Sequence, residues 1–209
     1  MRLTPSGTNP PFSLFREYVT QLTKHDKKFL IIGNKNSVKY NIIFKLVKQN
    51  KIWLGYRNIN KDMWLRVPDN VKYEKIVDGV KVKHIMACWL TNLETTKRHE
   101  HFTMYKKYNP EVYPKYDNYD AIDVSKVAEI PMDYIGEMGV PITFLDKYNP
   151  EQFLLIGIFD DKREKSDAFI QGAATYVDEQ HKNYVGPVVN GKARYTRILV
   201  KNKKVGKQA

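Results

Sequence analysis

The order of elements predicted between residues 13 and 56 constrains the fold more than any other feature of the sequence. Apolar residues recur every three or four positions over residues 13–24 and 37–49, and this periodicity predicts two helices. Residues 29–32 and 52–56 are apolar runs of strand length, and the first is expected to be covered on both faces. Helices and strands that alternate with short connections predict an α/β protein with a parallel sheet.

A stiff corner, Asn9-Pro10-Pro11-Phe12, stands just before the first helix. Each proline fixes its own φ near −65° and keeps the preceding residue out of the α region. The corner therefore combines an amide side chain, carbonyl oxygens without competing proline N–H groups, and an aromatic ring. This combination suits transfer to the exocyclic amino group of a flat heterocycle. Taken alone, an asparagine before two prolines also fits an ordinary turn.

The tetrapeptide resembles the Asp/Asn-Pro-Pro-Tyr/Phe motif of amino-group DNA methyltransferases. Its context resembles the EcoRI-type adenine-specific modification methylases, and residues 29–34, 138–150 and 190–200 carry the same resemblance in the same order. The likeness runs from Thr8 to about Lys201. It implies the second half of a doubly wound, Rossmann-like methyltransferase sheet with an appended mixed α/β target-recognition region. The chain is thus expected to match only the C-terminal part of that family.

Three regions are expected on this basis. Residues 1–93 would form a partial catalytic domain beginning at the motif, residues 94–201 the target-recognition region, and residues 202–209 a basic tail. Residues 1–8 are predicted to be irregular, because residues 3–8 hold one large apolar residue, a proline and a glycine. The family resemblance implies a buried strand there, so this segment departs from the expected pattern.

Two hairpins are predicted at dipeptides that favour two-residue turns. Asp78-Gly79 joins residues 72–77 to residues 80–85, and the second arm is expected to continue as a sheet strand to residue 90. Asn190-Gly191 joins residues 185–189 to residues 192–200. Residues 95–134 are polar and rich in tyrosine, and they are expected to form loops and short elements.

The resemblance assigns catalytic roles to Asn9, Pro10, Pro11 and Phe12. The Asn9 side-chain oxygen and the Pro10 carbonyl would accept the two N–H bonds of the adenine amino group, and Phe12 would stack on the extruded base. The implied methyl donor is S-adenosylmethionine. In the family its glycine-rich turn lies before the catalytic motif, and neither Gly33-Asn34-Lys35-Asn36 nor Gly136-Glu137-Met138-Gly139 replaces it. The donor site is therefore expected to be incomplete.

A formal charge of +12 and a pI near 9.5 favour a polyanionic partner, here double-stranded DNA, although a basic surface without a partner is the alternative. The candidate DNA contacts are Lys35, Lys39, Arg194 and Arg197. Residues His99-Glu100-His101 lack further ligands, so no metal site is predicted. Cys88 has apolar neighbours and is expected to be a buried thiol in a reducing cytoplasm. No secretory signal or membrane-spanning run is visible.

The sequence thus predicts a site-specific DNA adenine N6-methyltransferase of a restriction–modification system. One alternative is a non-catalytic nucleic-acid-binding remnant or subunit of a split methylase. Another is an amino-group methyltransferase that acts on RNA. Half of a doubly wound sheet would expose apolar edges and faces, so an N-terminal half on another chain, or self-association, is expected.

Overall fold

A computed structural model of the protein describes residues 6–8, 10–61, 63–162 and 166–205. The side chains of Ser6, Thr8 and Phe12 are not among the described groups. The chain divides into two compact units, which are treated separately below. Unit 1 comprises Met1–Ile43 and Lys51–Leu93, and unit 2 comprises Phe44–Asn50 and Glu94–Ala209. Several sheets and two α-helices confirm the expected mixed α/β class.

The described residues of unit 1 form strands β1 (Ser6–Thr8), β2 (Phe29–Asn34), β3 (Trp53–Leu54), β4 (Met63–Arg66), β5 (Lys75–Val77), β6 (Val80–Ile85) and β7 (Ala87–Thr91). Helix α1 (Phe15–Lys24) follows a 3-10 turn at Phe12–Leu14. Helix α2 (Asn41–Lys48) follows a 3-10 helix at Lys35–Lys39, and it passes from unit 1 to unit 2 after Ile43.

The main sheet of unit 1 has the strand order β1-β2-β7-β3. Strand β1 is parallel to β2, whereas β7 is antiparallel to both β2 and β3. Burial alternates along β2, so the expectation that this strand is covered on both faces is wrong. Phe29 and Ile31 are fully buried, while Leu30 and Ile32 on the opposite face are only half-buried.

Strand β1 corrects the prediction of irregular structure for residues 6–8, whereas residues 1–5 lie outside the described part of the chain. Ser6, Gly7 and Thr8 pair in parallel with Phe29, Leu30 and Ile31. Backbone pairing does not require apolar side chains. The tripeptide Ser6-Gly7-Thr8 can therefore form an edge strand without a hydrophobic run. In the sequence, the tetrapeptide that is predicted to be catalytic therefore comes directly after a strand.

The predicted helix over residues 37–49 is interrupted. Asn34 accepts a hydrogen bond from the Asn36 N–H at 2.8 Å and begins the 3-10 helix. Tyr40 is then extended, with φ −70° and ψ 134°, and α2 starts anew at Asn41. The apolar spacing was read correctly, but the local hydrogen bond of Asn34 starts a tighter turn.

The first predicted hairpin is confirmed. Asp78 and Gly79 have φ values of 48° and 75°, which suit the two-residue turn between β5 and β6. Its second arm does not run on to residue 90, because the chain changes sheets at Met86. Strand β6 lies between β4 and β5 in a three-stranded antiparallel sheet, whereas β7 lies between β2 and β3 in the main sheet.

The described residues of unit 2 form strands β8 (Ile122–Asp123), β9 (Glu137–Pro141), β10 (Phe153–Phe159), β11 (Phe169–Ile170), β12 (Val188–Val189), β13 (Lys192–Ala193) and β14 (Arg197–Asn202). The five-stranded sheet has the order β11-β10-β14-β9-β8. Buried Tyr116, Phe159 and Leu199 contribute to its core. Residues 95–134 contain only short elements in the described structure, as expected.

The second predicted hairpin is confirmed at its turn but not along its full second arm. Asn190 and Gly191 have φ values of 50° and 69°, and β12 pairs with β13. The arm ends at Ala193, where the Arg194 N–H bonds back to the Pro187 carbonyl at 2.8 Å. Strand β14 then enters the five-stranded sheet between β9 and β10. The Asp117 carboxylate accepts both turn N–H groups, at 3.1 Å from Asn190 N and 2.7 Å from Gly191 N.

Candidate functional site

Pro10 and Pro11 of the motif that is predicted to be catalytic come shortly after the end of β1 in the main sheet of unit 1. Pro10 is buried and Pro11 is exposed, and the Pro11 carbonyl accepts a hydrogen bond from the Leu14 N–H at 3.0 Å. That bond closes the 3-10 turn leading into α1, and the N-cap residue Leu14 makes no side-chain hydrogen bond. Among the described residues, none donates a backbone hydrogen bond to the Pro10 carbonyl oxygen. Asn9 and the Phe12 ring lie outside the described groups.

Phe15, the first residue of α1, packs closely against Gly33 of β2. Phe15 is 2% exposed, and its ring atoms lie 2.5 Å and 2.6 Å from the point where a Cβ on Gly33 would stand. Only glycine admits the ring this closely. The Arg16 guanidinium also lies 5.5 Å from the centroid of the Tyr40 ring, which follows β2. The residues after the motif are therefore held against the end of β2.

Two of the four predicted DNA contacts follow β2, in the same unit as the motif. Lys35 and Lys39 occupy the 3-10 helix and are half-buried, with no ion pair to a described carboxylate. Between them Ser37 is 1% exposed, and its hydroxyl has no hydrogen-bond partner among the described groups. The carboxyl ends of neighbouring parallel strands meet at one edge of a sheet, where ligands bind in open α/β folds.

The other two predicted DNA contacts, Arg194 and Arg197, belong to unit 2. Arg194 is exposed between β13 and β14. Arg197 is only 12% exposed, and its Nε donates to the Asp123 carboxylate at 2.9 Å. The Tyr116 hydroxyl donates to the same carboxylate oxygen at 2.8 Å. The Arg197 guanidinium is thus held by an internal partner, which the prediction from basic residues on a hairpin arm did not include.

Burial strongly raises the pKa of the Tyr116 hydroxyl, and the neighbouring Asp123 carboxylate raises it further. The phenol therefore stays protonated and remains a donor to Asp123 throughout the physiological range. This part of unit 2 is a closed polar network and not an open site.

Sequence reasoning missed a cavity of about 760 Å³ in unit 1. Its lining combines two aromatic rings, two cationic side chains, an amide and an aliphatic side chain: Tyr56, Trp89, Arg57, Lys61, Asn58 and Leu30. Trp89 is only half-buried. The close approach of β3 to β7 shapes this region, because the Gly55 N–H donates to the Trp89 carbonyl at 2.8 Å. Basic and aromatic residues directly after a predicted strand were the available signal.

The described residues do not fit the methyl donor. A glycine that approaches a ligand leaves open the space where a Cβ would stand. That space is filled by Phe15 at Gly33 and by the Tyr134 ring, 2.7 Å away, at Gly136. The described lining of the 760 Å³ cavity has two cations and no carboxylate, whereas the donor carries a positive sulfonium and its ribose requires an acidic partner. No step of the reaction through the donor is therefore derived.

Comparison with known proteins identifies the protein family to which the chain belongs. The family model described as adenine-specific methyltransferase EcoRI matches residues 6–203, so the chain belongs to this family. The resemblance first carried by Asn9-Pro10-Pro11-Phe12 is thereby confirmed. Membership implies S-adenosylmethionine as the methyl donor of the family.

Curated relatives are all type II methyltransferases by name. The chain is 48% identical over 208 residues to M.EcoRI of Escherichia coli, which covers 96% of this chain and 58% of that protein. It is 40% identical over 206 residues to M.MpnI of Mycoplasma pneumoniae, covering 94% of this chain and 63% of the relative. The chain thus spans about three fifths of these proteins, consistent with a match to the family's C-terminal part. No solved structure matches the chain.

Within the described ranges, no helix has the length and apolarity to cross a membrane. The same ranges contain no group of three or more His, Cys, Asp or Glu side chains arranged to hold a metal ion. Cys88 is buried, as predicted, and the described structure leaves it without a disulfide.

Proposed function

We propose that the chain carries the target-base side of a DNA adenine N6-methyltransferase of a restriction–modification system. The observation that supports this most is the position of Pro10 and Pro11 directly after β1, beside the end of β2. The order β1-β2-β7-β3, with β7 reversed, is also compatible with the second half of a Rossmann-like methyltransferase sheet.

In this proposal the chain's own residues hold and orient the amino group. The Asn9 side-chain oxygen accepts one N–H bond and the Pro10 carbonyl accepts the other, while the Phe12 ring stacks on the extruded adenine. Accepting both N–H bonds localises the nitrogen lone pair and turns it toward the incoming methyl group. The contribution is positioning together with electrostatic stabilisation, and no metal is needed. This role is supported by the Pro10 carbonyl oxygen, which accepts no backbone hydrogen bond from the residues that the structure describes.

Lys35 and Lys39 would contact DNA phosphates next to this corner, and exposed Arg194 would contact DNA from unit 2. For Arg197 we propose a positioning role instead, because its side chain is held by Asp123. Phosphate contacts of this kind orient the duplex and carry no sequence information directly.

A partner for the main sheet is also proposed. One face of the sheet is closed by buried Phe29, Ile31 and Leu90, while Leu30, Ile32 and Trp89 on the other face remain half-buried. An apolar face that is only partly covered favours association, either with a chain supplying the rest of the family's length or with a second copy. Sedimentation of the purified chain would reveal a monomer if this proposal is wrong.

The decisive experiment is a methyl-transfer assay with S-adenosylmethionine and duplex DNA. The chain is assayed alone and mixed with a polypeptide that supplies the portion of the relatives it does not match. We expect N6-methyladenine in the mixture, and a loss of about 10²–10³ in rate for Asn9→Ala, the range found when one oriented hydrogen-bonding group is removed. Phe12→Tyr should retain the stacking ring and the activity, whereas Phe12→Ala should not. Unchanged methylation by Asn9→Ala would refute the mechanism.

The misfit of the described residues to the donor favours a second candidate, a nucleic-acid-binding subunit without transfer activity. Calorimetric titration separates the two. Micromolar binding of S-adenosylmethionine to the chain alone would reveal a donor site and support an enzyme. Salt-sensitive binding of DNA without donor binding, combined with no methylation in the mixture, would favour the subunit.

A further inference from the structure

The excess positive charge of the chain is concentrated in unit 1. Residues 1–43 and 51–93 contain 15 Lys and Arg but only 6 Asp and Glu, a net charge of +9. Unit 2 contains 20 Lys and Arg against 17 Asp and Glu, a net charge of +3. Together they account for the +12 of the whole chain. The electrostatic signature of a nucleic-acid surface therefore lies mainly in unit 1, although two of the four predicted contacts lie in unit 2.

Ion pairing increases this difference in available positive charge between the two units. Cations of unit 2 are paired with carboxylates at seven places: Lys45–Asp167, Lys97–Asp146, Arg98–Glu94, Lys115–Asp120, Lys126–Glu129, Lys182–Glu179 and Arg197–Asp123. In the sheet β4-β6-β5 of unit 1, by contrast, Arg66, Lys75 and Lys83 are exposed and form no ion pair with any described carboxylate. Their charge is left available to a partner.

The register of this sheet distributes these cations over its two faces. Arg66 and Lys75 both stand opposite Val82, one on each neighbouring strand, and so share a face. Lys83 stands opposite Leu65 and points to the other face. Positive side chains therefore stand on both faces of the sheet, and such side chains bind DNA by neutralising its backbone phosphates.

On the face that carries Arg66 and Lys75, the Trp64 ring restrains the Lys75 side chain. The Lys75 ammonium lies 3.6 Å from the centroid of the Trp64 ring, and the His84 ring lies 5.4 Å from Trp64 at a tilted angle. Trp64 is half-buried on this sheet. A cation held on a ring loses less side-chain freedom when it binds a phosphate.

The sheet also adjoins the candidate site. Met86 joins β6 to β7, and its carbonyl accepts a hydrogen bond from the Lys35 N–H at 2.9 Å. Lys35 itself follows β2, the neighbour of the strand that leads into Pro10. A duplex that lies along the sheet therefore reaches the edge at which the motif stands.

From these observations we propose that the sheet β4-β6-β5 is the main duplex-DNA contact surface of this chain, with Arg66, Lys75 and Lys83 on the phosphates. This inference rests on the proposed function and names the surface through which its substrate is held. It does not depend on which group carries out methyl transfer.

The test measures how the affinity of the full chain for a labelled duplex of about 30 bp and random sequence depends on salt concentration. Binding is followed by fluorescence anisotropy. The sheet variant combines Arg66→Gln, Lys75→Gln and Lys83→Gln. Each lost phosphate contact lowers the slope of log affinity against log salt by about 0.9, so the slope should fall by about 2–3. The matched control combines Lys115→Gln, Lys126→Gln and Lys182→Gln, which removes the same formal charge from exposed pairs in unit 2 and should change the slope by less than about 1.

A charge-preserving variant, Arg66→Lys with Lys75→Arg and Lys83→Arg, should keep the wild-type slope and so exclude damage to the fold. An equal loss in the sheet and control variants would overturn the proposal, since it would show a general effect of net charge. An unchanged slope in the sheet variant, absence of duplex binding, or tighter binding of single-stranded RNA would overturn it as well. The methylation assay of the wild-type mixture is independent of these results. Methylation by the wild-type mixture with an unchanged slope in the sheet variant would refute this surface alone. No methylation by the wild-type mixture, with a reduced slope in the sheet variant, would refute the proposed function alone.

Discussion

The Nε of Arg197 lies 2.9 Å from the Oδ1 of Asp123, and both side chains are almost enclosed, at 12% and 3% exposure. The pair joins β14 to β8 across a separation of 74 residues in the sequence. Because the Tyr116 hydroxyl donates to the same oxygen, the carboxylate has two donors in a region that water scarcely reaches. The arrangement ties three segments of unit 2 together.

Removing one partner of this pair should be costly. Asp123→Ala leaves the Arg197 guanidinium enclosed without a counter-charge, and we expect the free energy of unfolding to fall by about 3–5 kcal/mol. Urea denaturation followed by circular dichroism measures it. Replacing both partners with apolar residues, Asp123→Leu with Arg197→Met, should cost less than Asp123→Ala, because no uncompensated charge remains.

An exposed pair provides the control for this experiment. Lys126 and Glu129 lie 3.2 Å apart with exposures of 76% and 36%. Solvent screens such a pair, so Lys126→Ala should change the free energy of unfolding by no more than about 1 kcal/mol. A loss in Asp123→Ala no larger than that in Lys126→Ala would contradict the assigned role.

The same pair illustrates what the sequence could not reveal. Arg197 was interpreted from its neighbours as one more cation on a hairpin arm, and nothing local points to Asp123. The two hairpin turns, by contrast, were predictable, because Asp78-Gly79 and Asn190-Gly191 carry their backbone preference in the dipeptide itself. Strand β1 was not predictable in this way. It forms by pairing with Phe29–Ile31, and the sequence Ser6-Gly7-Thr8 shows no pattern typical of a strand.

Gly33 should tolerate no side chain. In Gly33→Ala the new Cβ would stand 2.5 Å from the Phe15 ring, so this buried ring would have to shift. We expect a loss of about 1–3 kcal/mol in the free energy of unfolding, the usual cost of overpacking. Because Phe15 also begins the helix after the motif, methylation by the mixture should fall too.

Gly7 is the matched control for this substitution, since no atom of the described part of the chain lies within 4 Å of the position of its added Cβ. Gly7→Ala should change stability by no more than about 0.5 kcal/mol. The loss in Gly33→Ala should be partly recovered by adding Phe15→Leu, a coupling that a double-mutant cycle measures. If Phe15→Leu instead adds its full cost to that of Gly33→Ala, the clash is not the cause.

The family was predictable from the sequence, because the tetrapeptide Asn9-Pro10-Pro11-Phe12 is recognisable by its two prolines and aromatic ring, and the family model matches residues 6–203. The catalytic roles of these four residues stay a prediction. The cavity at Tyr56 and Trp89 and the exposed cations of β4-β6-β5 depend on strand order and register. Those follow from pairings between distant residues, which a single sequence does not display.

Alkaline pH should destabilise unit 2 through its tyrosines. Burial is the main cause that raises the pKa of Tyr119, Tyr148 and Tyr184 to about 12, and a hydrogen bond to Glu137 adds to it for Tyr119. In the unfolded chain these phenols ionise near their ordinary value of 10.0. A raised folded pKa means that their contribution to stability is fully present below pH 10 and is lost as the pH rises through 12. The urea midpoint should therefore fall between pH 10 and pH 12.

Single substitutions assign this pH dependence of stability to particular tyrosines. Tyr148→Phe removes one ionisable phenol, so the fall in the urea midpoint between pH 10 and pH 12 should be smaller than in the wild type. Both proteins carry the same lysines, so comparing them cancels the effect of lysine deprotonation. Tyr195 is 90% exposed, and Tyr195→Phe should leave the fall in place because the three enclosed phenols remain. An equal pH dependence in the wild type and Tyr148→Phe would show that this phenol ionises alike in the folded and unfolded chains.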